Sequence, residues 1–127
     1  MADELTQGIL NDIGKELASD TDYPLDGTFL YAECSPQSVY YAVYKDAGDR
    51  LIYRWGTHEL GELLLDLWEA AEPDKRWSAI EYTVTGNTFI ADFTYPDKFV
   101  GGHGSDRRDR IVQQRFGNKQ VIYPPLP

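Results

Sequence analysis

The stretch WSAIEYTVTGNTFIADFTY (77–95) decides the fold, because it predicts a β-hairpin. Two runs rich in aromatic and β-branched residues, 77–85 and 88–95, flank Gly86 and Asn87. A two-residue glycine turn between alternating strands is a strong local hairpin signal. The second run alternates between two faces, with Phe89, Ala91, Phe93 and Tyr95 on one and Ile90, Asp92 and Thr94 on the other.

Upstream of this hairpin, three further strands are predicted. They are TFLYAEC (28–34), SVYYAVYKD (38–46) and RLIYRW (50–55), each separated from the next by a short turn. Short turns between such runs indicate an antiparallel meander. Downstream, NKQVIYPPLP (118–127) has room for a brief edge strand before its prolines end regular structure.

Helices are predicted over 3–19, 57–72 and 105–116, from apolar residues at helical spacing. Thr57 and Ser105 are the residue types that cap helix N-termini, and both stand at the predicted starts. The order helix, three strands, helix, two strands, helix favours a single α+β domain. We expect an antiparallel sheet of about five strands, with helices packed on one side.

The charge of the chain is strongly and unevenly negative. Formal net charge is −9, from 21 acidic and 12 basic residues. Residues 1–72 carry 15 acidic and four basic side chains, a net of −11, whereas residues 73–127 carry a net of +2. An acidic balance argues against a nucleic acid or an anionic membrane as partner, and it fits a basic partner or plain solubility.

The predicted location is the cytoplasm. Cys34 is the one cysteine in the chain, which suits a reducing compartment. The first residues are acidic and amphipathic and do not resemble a signal peptide. The sequence contains no run of 18 apolar residues that could cross a membrane.

Motifs that carry chemistry are missing from the sequence. It has no CxxC, HExxH or GxSxG motif and no phosphate-binding glycine loop. His58 opens a predicted helix, and His103 lies in the loop GGHGS. Cys34 lies in a predicted strand, where a buried small hydrophobic role is usual. We therefore predict no catalytic, cofactor-binding or metal-binding residue, and no enzymatic activity.

Carboxylates and arginines are expected to form ion pairs within the chain. Glu81 and Asp92 could face each other across the hairpin, an arrangement that some enzymes use for acid–base chemistry. Pairing with arginine is the more common role for such residues, and the candidate partners are Arg107, Arg108 and Arg110. We expect the basic helix to pair with the acidic half of the chain, residues 1–72, and not with nucleic acid.

Two acidic faces form the candidate binding surface. Complementary charge speeds association with a basic partner and adds specificity. The alternative is that both faces are merely solvated. The candidate residues are Asp12, Glu16 and Asp20 on the first helix, and Glu59, Glu62, Asp66 and Glu69 on the second.

The last third of the chain resembles the YezG-like family of bacterial immunity proteins. The segments that carry the resemblance are RWSAIEYTV (76–84), FIADFTYPD (89–97), DRRDRIVQQRFG (106–117) and VIYPP (121–125). Upstream, the amphipathic first helix and LYAEC (30–34) are also similar to the family.

The resemblance implies a cytoplasmic antitoxin without activity of its own. Such proteins bind the toxic C-terminal domain of a secreted polymorphic toxin, often a nuclease. Two other classes stay open: an acidic secretion chaperone for an effector protein, and a small enzyme centred on His103 and the arginine-bearing helix. The oligomeric state is also open.

Overall fold

The fold is built on one six-stranded sheet. A computed structural model describes residues 4–36 and 38–124 of the chain. The predicted order of elements is confirmed. The strands are β1 (Thr28–Ser35), β2 (Ser38–Asp46), β3 (Arg50–Arg54), β4 (Ala79–Thr85), β5 (Thr88–Thr94) and β6 (Gln120–Ile122). The helices are α1 (Glu4–Ala18), α2 (His58–Ala70) and α3 (Gly104–Phe116), with short 3-10 turns at Pro73–Lys75 and Pro96–Lys98.

The strands lie in the order β5-β4-β1-β2-β3-β6. The predicted meander of β1, β2 and β3 is confirmed as antiparallel. The brief edge strand suggested for 118–127 is β6, which brings the sheet to six strands where about five were expected. Strand β6 pairs with β3 in parallel, with Ile52 opposite Ile122. A parallel pair needs a long crossover, and here the chain between β3 and β6 includes two helices and the β4–β5 hairpin.

Both faces of the sheet are covered, so the prediction of helices on one side is wrong. Helices α1 and α2 pack on one face, with Leu30, Ala32 and Cys34 of β1 in that core. Helix α3 packs on the other face, against Phe29 and Tyr31 of the same strand. The physical reason is in β1 itself: apart from Glu33, the side chains of residues 29–34 are apolar in both alternating sets, as in strands buried on both faces.

The predicted hairpin is confirmed, with Thr85 paired to Thr88. Gly86 has φ of 64°, and no non-glycine residue in the described ranges has a positive φ. A positive φ at the first central position alone matches a type II′ turn, which suits the twist of a two-residue hairpin. Glu81 lies directly opposite Asp92, as the sequence suggested.

One predicted helix cap is confirmed and the other is wrong. The N–H of Leu60 donates to Thr57 Oγ1 over 3.1 Å, so Thr57 caps α2. Helix α3 begins at Gly104, and its N-cap residue is His103 and not Ser105. A Cβ on Gly104 would lie 3.0 Å from Glu33 Oε1, so α3 approaches β1 closely at its first residue. The predicted first residue of helix 3–19 lies outside the described residues, as do Gln37 and Pro125.

Candidate partner-binding surface

The acidic side chains of α2 form an exposed row. Its members are separated by three or four residues, so they share one face of the helix. Leu60, Leu64 and Leu67 occupy the opposite, buried face, which orients the row towards solvent. At 1.5 Å per residue the row is about 15 Å long. The residues of the row, all exposed, are Glu59, Glu62, Asp66 and Glu69.

Positively charged side chains of the protein itself neutralise little of the negative charge of the α2 row. His58 Nε2 lies 3.0 Å from Glu62 Oε1, with both side chains largely in solvent. Within residues 4–36 and 38–124, no lysine or arginine forms an ion pair with the carboxylates of Glu59, Asp66 or Glu69. The row is therefore a concentrated patch of uncompensated negative charge.

The predicted acidic residues of α1 have different surroundings. Asp12 is exposed and has Lys15 Nζ 3.9 Å away. Glu16 is half-buried and accepts a hydrogen bond of 2.7 Å from Thr57 Oγ1. Because α1 ends at Ala18, Asp20 lies beyond the helix, and the predicted stripe on α1 ends at Glu16.

Asp20 is held by an arginine of β3. Arg54 Nε and Nη2 donate to its two carboxylate oxygens over 2.6 and 3.0 Å. Burial alone would raise the pKa of Asp20, but the hydrogen bonds and charge of Arg54 outweigh burial and lower this pKa below its usual value. Asp20 therefore joins the end of α1 to the sheet, whereas Asp12 and the α2 row are open to solvent.

The arginines of α3 pair inward with acidic side chains of the sheet, as predicted. Arg107 forms a two-pronged ion pair with Glu33, and each side chain is only 12% exposed. Glu81 and Asp92 share Arg115, with Nε 2.6 Å from Glu81 Oε1 and Nη2 3.5 Å from Asp92 Oδ2. The predicted partners Arg107, Arg108 and Arg110 are thus replaced by Arg115, whose place in the last turn of α3 brings it over the hairpin.

An exposed aromatic cluster lies next to the start of α2, and the sequence reasoning missed it. Trp55 and Tyr123 are 45% and 51% exposed. Tyr53 lies between them, with ring centroids 4.8 Å from Trp55 and 5.3 Å from Tyr123. Trp55 and Glu16 also line the same shallow cavity of about 130 Å³. Exposed Trp and Tyr are enriched at protein interfaces, and the nine tyrosines of the chain were the available signal.

The remaining candidates for chemistry have structural or solvent-exposed positions. Cys34 is buried, and burial raises the pKa of its thiol to about 12, so the reactive thiolate is disfavoured. His103 is exposed and makes no side-chain capping bond to α3. Among the described residues, no group of three or more His, Cys, Asp or Glu side chains is placed to hold a metal ion.

A search of the described helices finds none with the length and apolar character required to span a bilayer. The comparisons with known proteins add no family to these observations. The chain matches no model of a protein family, and no curated protein is similar to it.

Proposed function

We propose that this protein is an immunity protein, which binds a toxin domain with a basic surface and neutralises it. The observation that carries the proposal is the α2 row, Glu59, Glu62, Asp66 and Glu69. Asp20, Glu33, Glu81 and Asp46 each have an arginine or lysine partner, whereas no lysine or arginine of the described residues pairs with a carboxylate of this row. The resemblance of the last third of the chain to YezG-like immunity proteins supports the same function.

Electrostatics explains how such a surface would inhibit a nuclease toxin. A nuclease binds phosphates with lysine and arginine, so its active face is basic. A row of carboxylates about 15 Å long can cover such a face and exclude nucleic acid from it. The aromatic cluster of Tyr53, Trp55 and Tyr123 lies beside the start of the row and would supply apolar contact area.

Co-expression tests this function directly. The toxin domain encoded beside this gene is expressed with and without the immunity protein, and growth and co-purification are measured. We expect growth to be restored and a stable complex to be isolated. A toxin domain that still kills, and that does not co-purify, contradicts the proposed function. A secretion chaperone would instead bind an unfolded effector segment and would not restore growth.

Neutral variants test the surface separately from the function. In the first variant the α2 row is changed to Glu59→Gln, Glu62→Gln, Asp66→Asn and Glu69→Gln. The control removes the same charge from exposed acids elsewhere, with Asp49→Asn, Asp74→Asn, Asp97→Asn and Asp106→Asn.

We expect the row variant to bind the toxin on the order of 10- to 100-fold more weakly, mainly through slower association, because steering by complementary charge is lost. The control should bind nearly as well as the wild type. Equal affinities of the two variants would move the binding surface away from α2 without contradicting the function.

A further inference from the structure

The outer edge of β5 is an unprotected sheet edge. Strand β5 is seven residues long and contains no proline, lysine or arginine. The opposite edge strand, β6, has only three residues. Proteins commonly protect a sheet edge with prolines or lysines, or by keeping the edge strand short, because an open edge can pair with a strand of another molecule. Strand β5 has none of these three protections, and its one charged residue, Asp92, lies 3.5 Å from Arg115.

The hydrogen-bond pattern shows which backbone groups point outward from β5. The carbonyl of Ser78, just before β4, accepts from the N–H of Cys34 in β1, while the N–H of Ser78 donates to the carbonyl of Thr94 in β5. Within β4, Thr85 and Thr88 form the bonded pair that closes the two-residue turn, so even-numbered residues of β4 bond to β1 and odd-numbered ones bond to β5. Their partners in β5 are the even-numbered residues, such as Ile90 and Asp92. The N–H and C=O groups of Phe89, Ala91 and Phe93 therefore point away from the sheet. No hydrogen bond from another element of the described chain reaches them.

The outward N–H and C=O groups of β5 can bond to the same groups of a second copy related by two-fold symmetry. In an antiparallel pair centred on Ala91, Ala91 lies opposite Ala91 of a second copy, and Phe89 lies opposite Phe93. This register uses all three outward residues of each copy and forms about six backbone hydrogen bonds. Centring the pair on Ile90 or Asp92 uses only two of them and forms about four.

Side chains favour the same register. Phe89 and Phe93 share the face of the sheet on which α1 and α2 pack, so the pairing stacks aromatic rings across the symmetry axis, a stabilising cross-strand contact. Asp92 faces Ile90 of the second copy and not a second carboxylate. Ile90, which is 64% exposed in the single chain, becomes partly covered.

We propose that two copies of this chain pair along β5, in the register centred on Ala91, and form a continuous twelve-stranded sheet. This pairing rests on the geometry of the sheet edge and is independent of the toxin-binding function. The proposed pairing uses β5, whereas the α2 row lies on a helix, so the two surfaces consist of different residues.

Solution mass provides the first test. Light scattering after gel filtration, at about 100 µM protein and in about 0.3 M salt to screen the negative charge, should give a mass near twice the 14.5 kDa of one chain. Ala91→Pro should give the single-chain mass, because it removes an outward N–H and no bond to β4. The control Ala91→Val keeps the N–H and should stay dimeric. A wild-type monomer, or a dimer that persists in Ala91→Pro, overturns the proposal.

Amide hydrogen exchange of the wild type provides a test that does not depend on a variant folding. In concentrated protein the amides of Phe89, Ala91 and Phe93 should exchange at least tenfold more slowly than in dilute protein. The amides of Ile90 and Asp92, which bond to β4, should be protected at both concentrations. Exchange at residues 89, 91 and 93 that does not change with concentration, or that slows only when a toxin domain is added, rejects the pairing of two copies.

Discussion

Arg107 uses all three nitrogens of its guanidinium group within the protein. Nε and Nη2 donate to Glu33, and Nη1 donates to the carbonyls of Val100 and Gly102 over 2.9 and 2.8 Å. Its carbon Cζ lies 4.3 Å from the centre of the Phe99 ring. This one side chain therefore links α3, β1 and the loop before α3.

At the residue scale, we expect Arg107→Ala to destabilise the protein by about 3–5 kcal/mol, because it removes the charged partner of the largely buried Glu33 carboxylate and leaves the Tyr31 hydroxyl as its hydrogen-bond donor. Thermal or urea unfolding measures the change. The matched control is Arg50→Ala, whose pair with Asp49 is largely exposed and should contribute about 0–1 kcal/mol. Similar losses in the two variants would show that the buried pair has no special role.

The sequence indicates that Glu33 needs a charged partner, but it does not identify Arg107 as that partner. An acidic residue in the otherwise apolar strand FLYAEC (29–34) indicates a buried ion pair. The partner is 74 residues away along the chain, and no local pattern identifies a contact of that range. Trp55 and Tyr123 were missed for a related reason, because the alternation of a strand does not show which of its faces stays uncovered.

Helix α1 carries two glycines in contrasting surroundings. Nothing lies within 4 Å of a Cβ added to Gly8. A Cβ added to Gly14 would lie 2.9 Å from the hydroxyl oxygen of Tyr82, which is fully buried and donates to the carbonyl of Leu10 over 2.8 Å. The second glycine is thus required for the contact of α1 with β4.

At the element scale, Gly8→Ala should stabilise the protein by up to about 1 kcal/mol, because alanine is the better helix former. Gly14→Ala should destabilise it, despite the same gain in propensity, because Tyr82 must move or lose its hydrogen bond. Adding Tyr82→Phe to Gly14→Ala should recover part of the loss. Chemical denaturation measures all three changes, and equal effects at positions 8 and 14 would contradict the assigned contact.

Local signals predicted most elements, and non-local contacts decided their arrangement. The β4–β5 hairpin and the meander were predictable because each depends on a turn and on alternation within about ten residues. The parallel β6 and the cover of α3 on the second face depend on partners far along the chain. The acidic row of α2 was predictable as a solvent face, since helical spacing alone places its four carboxylates together.

Across the whole molecule, several carboxyl groups are ionised at lower pH than usual. Burial opposes ionisation of Glu33 and Asp20, but hydrogen bonds from Arg107 and Arg54 outweigh burial and lower both pKa values. For Asp46, the hydrogen bond from Lys119 is the main cause of its lowered pKa. In each case the folded state binds protons less readily than the unfolded state.

These lowered pKa values predict acid sensitivity. The stabilisation is fully present above the unfolded pKa values, which are about 4, and is lost as pH falls through the lower pKa values of the folded state. Urea unfolding from pH 7 to pH 2 should therefore show a steep loss of stability below about pH 4. Glu33→Gln should make this dependence shallower. A free energy of unfolding that stays constant over this range would contradict the three ion pairs.

The cover of the second sheet face by α3 has a consequence for synthesis on the ribosome. Strands β1 to β5 leave the ribosome before α3 does, so Phe29, Tyr31 and Tyr44 have their strand neighbours but not their helix. Until Val112 and Phe116 emerge, the nascent chain presents a broad aromatic surface to the crowded cell. This interval is therefore when the aromatic face of the sheet is most open to contact with other molecules.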